Sequence, residues 1–317
     1  MDGALPPPLD PAKFRDPLIT AKGEARARVA LSRLATLWLN TGSLCNLACG
    51  NCYIESSPRN DRLAYLSAAE AAAYLNEIRD GGFPVAEIGF TGGEPFMNPD
   101  IVPMLEDALS RGHCVLVLTN AMRPMMRHAD ALLRLRAAHG ARLGLRVSLD
   151  HWGPDLHERE RGAGSWAPAM AGLDWLAANG FAPRVASRLM WGEDAATARE
   201  GFRRLFAERG LGIDVDDPEA LVLFPEMDAT RDVPEITTAC WGILGISPDA
   251  MMCATSRMVV KRKGAAAPVV LPCTLLPYDP AFEMGGRLAD ATGPVALNHP
   301  HCARFCVLGG AACSRPG

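Results

Sequence analysis

Five stretches of the chain share one order of residues: a polar residue, a glycine, then a brief apolar run. They are "DGGFPVAEIGF" at 80–90, "RGHCVLVLTN" at 111–120, "HGARLGLRVSLD" at 139–150, "NGFAPRVASRLM" at 179–190 and "RGLGIDVDD" at 209–217. Each apolar run has the length of a buried strand. The stretches between them carry helical spacing instead. Ser67 and Glu70 form a capping box, and Leu75 and Ile78 continue its apolar face. Ile101, Met104, Leu105 and Leu109 make the next face, and Trp166, Met170, Leu173 and Leu176 another. Glycines 82, 112, 140, 180 and 210 fall where helix C-caps belong. Helix, glycine and buried strand in repeat predict βα units around a parallel sheet.

With "TLWLNTG" (36–42) as the first strand, the count is six, and "ALVLFP" (220–225) extends the sixth unit. Six units cannot close an eight-stranded barrel. The expected fold is therefore α/β, a partial (β/α)6 TIM-like barrel over residues 35–234. Residues 1–34 read as a Pro-rich lead-in plus a helix. Residues 235–317 break the rhythm and read as a small cysteine-rich C-terminal domain. One hairpin is legible there, "RMVVKRKG" with "PVVLPCT" around Lys263–Gly264. Pairing about that turn sets Cys253 opposite Cys273.

A chain of 317 residues, 49% hydrophobic, can fill a large core. A formal charge of −4 gives no basic footprint for nucleic acid. The first residues lack a signal-peptide h-region, and no apolar run is long enough for a bilayer. A cytoplasmic chain keeps its thiols reduced, so ten cysteines point to metal before disulfides. They cluster. Cys45, Cys49 and Cys52 stand in a C-x3-C-x2-C run within "LCNLACGNCY". Cys240, Cys253, Cys273, Cys302, Cys306 and Cys313 fall in the last quarter, and Cys114 stands alone as an expected buried hydrophobe.

In barrel-like βα folds, chemistry collects at the C-terminal strand ends. The three-cysteine run follows strand one and "TGGEP" (91–95) follows strand two. Thr119 and Asn120 end strand three, Ser148 to Asp150 end strand four, and Arg188 lies in strand five. All five features share one rim. The C-x3-C-x2-C run with Gly-Gly-Glu-Pro on the next strand resembles the radical SAM superfamily over roughly residues 35–225. That resemblance implies a [4Fe–4S] cluster on Cys45, Cys49 and Cys52 with one iron left for S-adenosylmethionine (SAM). One electron then breaks the C–S bond, and the 5′-deoxyadenosyl radical removes a hydrogen atom from substrate. It further implies that Gly92 and Gly93 admit the methionyl end, with Glu94 near its ammonium. Ser148 and Asp150 would meet the ribose, Arg188 the carboxylate, and Tyr53 would stack near the adenine, with Asn120 on the same rim. This sequence departs from the family at Asn51, where an aromatic or apolar residue usually precedes the third cysteine.

"CWGILGISPDAMMC" (240–253) and "HCARFCVLGGAAC" (301–313) resemble the cysteine runs of SPASM or twitch extensions, which hold auxiliary iron–sulfur clusters. Six cysteines fit one cluster with two to spare, or two clusters with an open position. Such tails imply a peptide substrate, with a small-molecule metabolite as the alternative, and a flavodoxin or ferredoxin as reductant. A zinc-bearing binding module is the non-catalytic alternative. The "HERERG" segment, with His157 and Arg161, reads as a solvated helix face, and "FPEMD" (224–228) as loop.

Overall fold

The computed structural model describes residues 7–310. Ten strands are present among them: β1 (Arg28–Val29), β2 (Thr36–Asn40), β3 (Glu87–Thr91), β4 (Cys114–Thr119), β5 (Leu143–Ser148), β6 (Arg184–Leu189), β7 (Leu221–Pro225), β8 (Ser256–Val260), β9 (Val269–Leu271) and β10 (Val295–Ala296). Eight α-helices join them: α1 (Ala68–Asp80), α2 (Ile101–Ser110), α3 (Arg123–Met126), α4 (Ala129–His139), α5 (Pro154–Arg161), α6 (Trp166–Ala178), α7 (Ala195–Arg209) and α8 (Cys240–Leu244). None is long and apolar enough to cross a membrane.

Eight strands form one sheet in the order β7-β6-β5-β4-β3-β2-β8-β9. Every neighbouring pair is parallel except β8 with β9. The six strands β2 to β7 are the expected partial barrel. The sixth, however, is Leu221–Pro225; the stretch 211–217, expected as a strand, has no strand structure. Asp214, Asp216 and Asp217 lie in it, and two of them accept backbone N–H groups two residues on, which favours turns over a ladder. The sheet also continues across residue 234, because β8 from the cysteine-rich segment pairs in parallel with β2.

Both faces of the sheet are covered, and strand alternation sorts the residues between them. On β2, Leu37 and Leu39 point out to the helix layer with Leu75, Ile78, Leu105 and Leu109. Trp38 points in, with Leu116, Met258 and Val260. Its indole lies over Gly89, its partner in register, where a Cβ would come within 2.3 Å of the ring. The capping box at Ser67 is formed on both sides, as the sequence predicts. Gly210 ends α7 in the left-handed conformation, a cap that costs glycine little.

Three further expectations are corrected. Residues 7–34 contain no helix; Arg28 and Val29 pair instead with Ala296 and Val295, a tertiary contact that overrides local propensity. Cys114 is exposed, being the first residue of β4, at the rim opposite the site. The hairpin β8–β9 forms, but with Met258 opposite Leu271. Continuing that register sets Ser256, not Cys253, opposite Cys273.

Candidate active site at the C-terminal rim

The inward face of each strand carries the polar residues singled out by the sequence. Because alternate residues share a face, Arg146, Ser148 and Asp150 line one wall, with Leu118 and Asn120 from β4 beside them. Ala186 and Arg188 of β6 and Phe224 at the end of β7 continue it. Together they enclose a cavity of about 150 Å³, into whose mouth Cys45, Cys49, Cys52 and Tyr53 project.

The loop after β2 and the loop after β3 are laced together. Gly93 donates its N–H to the Gly42 carbonyl at 2.8 Å, and Glu94 donates to Leu44 at 3.1 Å. A Cβ on Gly93 would stand 2.1 Å from the Leu44 oxygen, and one on Gly92, whose φ is +135°, 2.5 Å from the Gly42 oxygen. The glycine pair is thus demanded by the chain that leads into Cys45, in addition to the cavity it borders.

Two of the three thiols sit at the protein's own donors. Leu47 N–H points at Cys45 Sγ and Ser56 N–H at Cys52 Sγ, each at 3.4 Å. Asn120 Nδ2 stands 4.0 Å from Cys45 Sγ. Burial pushes the Cys45 thiol up to about 12 and the Cys49 thiol up to about 11. Neutral thiols at these positions need a cation to become thiolates, which is what a metal centre supplies. Among the described residues no three His, Cys, Asp or Glu side chains stand close enough to share one metal ion. Thiolates that each bind a different iron of one cluster are spread more widely than ligands of a single ion. Three thiols at one cavity mouth are a donor set that a [4Fe–4S] cluster could use.

The predicted contacts of SAM fall on the cavity with two refinements. Glu94 is buried behind the wall: its carboxylate accepts from Thr119 Oγ1 at 2.9 Å, Asn120 N at 2.8 Å and Phe96 N at 3.2 Å. Burial pushes it up to about 7 against those three hydrogen bonds. Arg188 is already paired, with Glu160 at 3.3 Å and with the Asn51 carbonyl at 2.5 Å.

The segment "HERERG" is not a solvated face. His157 is fully buried against Trp166, and Glu160 and Arg161 line the cavity. Helix α5 starts right after β5 and its last turn folds back over the cysteine loop, so the charges that suggested solvent meet partners instead. Arg161 Nε lies 2.8 Å from Asp150 Oδ2. Burial opposes the Arg161 charge, but Asp150 and Cys49 outweigh it and hold the guanidinium above its usual value. Burial likewise pushes Asp150 up, and Arg161 and Arg188 more than reverse it, leaving the carboxyl below its usual range. The "FPEMD" segment is only partly loop: Phe224 belongs to β7 and, with Met227, walls the cavity.

Of the tail cysteines, Cys253, Cys273, Cys302 and Cys306 line one small apolar cavity of about 20 Å³. Cys302 and Cys306 lie on one π-helical turn, Cys302–Val307. Leu275 borders both cavities, and Phe305 of the same turn faces the larger one. Cys240 stands apart from the four, its Sγ 3.3 Å from the Thr237 N–H at the start of α8. Cys313 lies outside the described residues.

Comparison with known proteins agrees with this geometry. Residues 39–193 match the model of the Radical SAM superfamily. The chain is 32% identical over 143 residues to the antilisterial bacteriocin subtilosin biosynthesis protein AlbA of Bacillus subtilis, covering 45% of this chain and 30% of that protein. It is 31% identical over 138 residues to the mycofactocin maturase MftC of Mycobacterium ulcerans, covering 44% and 35%. The matches thus span about a third of these relatives' lengths. The structure of Streptococcus suis SuiB bound to precursor peptide SuiA superposes with a TM-score of 0.60 at 14% identity, over 81% of this chain and 63% of that one, a likeness of fold. The cofactors of the matched family are SAM and a [4Fe–4S] cluster. Over residues 39–193, just under half of its length, this chain therefore carries the match to the radical SAM superfamily, and the fold and the rim motifs agree with it.

Proposed function

We propose that this protein cleaves SAM reductively at a [4Fe–4S] cluster held by Cys45, Cys49 and Cys52, and uses the resulting radical to modify a peptide. The observation that carries the reading is the convergence of three buried or half-buried thiols and Gly92–Gly93 on one cavity at the rim of the barrel. A [4Fe–4S] cluster held by these thiolates would supply the one electron that reductive cleavage of SAM to methionine and a 5′-deoxyadenosyl radical requires. The chain's own residues hold and shield. Asn120, Ser148 and Asp150 offer polar contacts along the nucleoside, and Tyr53 offers an aromatic face. Leu118, Phe224, Met227, Leu275 and Phe305 exclude water from the far end, where a radical has to be kept from solvent.

Residues 235–317 form the auxiliary segment in this reading. Cys253, Cys273, Cys302 and Cys306 supply four thiolates to one further cluster, which leaves Cys240 and Cys313 spare. Peptide as substrate class is supported by the names of the relatives, a bacteriocin biosynthesis protein and a maturase, and by the peptide-bound neighbour. The electron donor is of the flavodoxin or ferredoxin class.

The test is anaerobic reconstitution followed by iron counting, with chromatography of the products after dithionite and SAM are added. The wild type forms 5′-deoxyadenosine. A variant with Cys45, Cys49 and Cys52 all changed to Ala keeps the tail iron and forms none. Appreciable residual cleavage by that variant rules the site out. A short peptide encoded beside this gene, added to the reaction, changes mass; an unchanged mass with continued cleavage moves the substrate to the metabolite class.

A further inference from the structure

The spacer between Cys49 and Cys52 is held by one side chain from another element. Glu160, in the last turn of α5, accepts the Asn51 backbone N–H at 2.7 Å through Oε1 and the Asn51 amide Nδ2 at 3.0 Å through Oε2. Its own carbonyl accepts the Gly50 N–H at 2.9 Å. Both spacer residues therefore give their N–H groups to this one residue, which is 4% exposed. Arg188 closes the arrangement, reaching the same carboxylate at 3.3 Å and the Asn51 carbonyl at 2.5 Å. The residue that sets this chain apart from the family pattern, Asn51, is the one that needs a carboxylate: its side-chain N–H has no counterpart in an apolar side chain. A Cβ on Gly50 would approach Glu160 Oε2 to 3.4 Å, so the carboxylate lies directly against the spacer.

From this we infer that Glu160 is a positioning residue for the first cluster. It fixes the Cys49–Cys52 spacer and, as a buried anion beside it, biases the cluster toward a low reduction potential, while Arg188 serves the clamp and not the cosubstrate carboxylate. The inference rests on the cluster site proposed above. Two consequences separate a positioning role from a purely structural one. Removing the charge at constant shape takes from Arg188 its carboxylate partner and removes an anion beside the spacer, so the cluster becomes easier to reduce. Removing the side chain frees the Asn51 backbone N–H and amide, leaving the spacer only Arg188 on the Asn51 carbonyl and the Gly50 backbone bond, so the loop loses its hold on iron.

The experiment uses the full chain, anaerobically reconstituted, with low-temperature electron paramagnetic resonance and redox titration of the wild type, Glu160→Gln, Glu160→Ala and Arg188→Lys. In the wild type a cluster signal changes when SAM is added; absence of that change counts against the cluster site itself and not against Glu160. Given that signal, Glu160→Gln raises the midpoint potential of the SAM-responsive cluster and leaves the other cluster unmoved. Glu160→Ala loses the SAM-responsive signal and roughly four irons per chain, the content of one cluster. Arg188→Lys keeps SAM affinity within about threefold, since its partners are protein groups. The inference is overturned by a Glu160→Gln potential equal to wild type, by full iron and an unchanged signal in Glu160→Ala, or by a loss of SAM affinity of tenfold or more in Arg188→Lys. A fall in melting temperature alone, with potential and signal unmoved, also overturns it, because that is what a merely structural contact gives.

Discussion

The buried carboxylate of Glu94 accepts the backbone N–H of Asn120 at 2.8 Å, so one anion ties the turn after β3 to the turn after β4. Thr119 Oγ1 and Phe96 N donate to it as well. In Glu94→Ala all three donors lose their acceptor inside the protein. Leaving buried donors unsatisfied costs about 1–3 kcal/mol each, with some relief from relaxation. The expected loss is about 2–4 kcal/mol of stability in urea unfolding of the metal-free protein. A loss under about 1 kcal/mol would mean that Glu94 does not bind these turns together, leaving cosubstrate contact as its whole role.

Gly93 and the Leu44 carbonyl meet so closely that no side chain fits between them. The clash in Gly93→Ala is with backbone on both sides, and both strands are locked in the sheet. Relief requires the loop at 43–45 to move, and Cys45 with it. We expect Gly93→Ala to lower stability by at least about 2 kcal/mol and to reduce iron at the first site, read by denaturation and iron counting. Gly82, whose Cβ would meet nothing within 4 Å, serves as the control; there the cost is that of a positive φ alone, about 1 kcal/mol.

These two positions also mark what was legible beforehand. Local patterns in the chain name the strands, the capping box at Ser67 and the cysteine and glycine motifs at the rim, because each is written in a few adjacent residues. Contacts that depend on distant segments meeting are not written that way. Glu160 looks like one more charge in a polar helix, and only the return of α5 over the cysteine loop makes it a partner of Asn51. The recurring glycine signal points to a sixth strand at 209–217, whereas the apolar run without that signal, at 221–225, supplies it. Pairing of β8 with β2 joins segments some 220 residues apart, and no local pattern announces it. Alternation along β5 was the one available clue to Arg146, which shares a face with Ser148 and Asp150.

His157 gives a pH dependence of known sign. Both ring nitrogens are buried and have no hydrogen-bond partner, and the ring packs edge-on against Trp166. Burial, with Arg161 adding to it, lowers its pKa to about 4 from an ordinary 6.5. The unfolded chain therefore binds this proton more readily between those values. Stability contributed by neutral His157 is full above about pH 6.5 and is lost as pH falls toward about 4, by up to roughly 3 kcal/mol. His157→Phe keeps the aromatic packing and removes the titration. Unfolding free energies measured from pH 7 to pH 4.5 fall less steeply in the variant than in the wild type; equal slopes would show that His157 titrates alike in the folded and unfolded states.

Arg257 links the sheet to the tail. It is 1% exposed, and its acceptors are backbone carbonyls: Ala291 at 2.7 Å from Nε, Cys253 at 2.6 Å and Ser256 at 2.7 Å from Nη1, and Gly293 at 3.4 Å from Nη2. Burial lowers its pKa, yet from so high a starting value that the group stays charged. A guanidinium with its donors spread in a plane can reach all four carbonyls; an ammonium cannot. The geometry assigns it the task of fixing the Cys253 carbonyl relative to the 291–293 segment, beside the cavity that Cys253 shares with Cys302. Arg257→Met leaves those carbonyls without a donor and is expected to cost about 3–5 kcal/mol. Arg257→Lys restores part of it, because an ammonium can still donate to some of these carbonyls though not to all four. Because the clamp acts on the tail cavity, the iron lost in Arg257→Lys comes from the tail, while the signal of the cluster that responds to SAM is kept. Loss of both irons in proportion would show instead that Arg257 supports the sheet as a whole, through β8 and its pairing with β2.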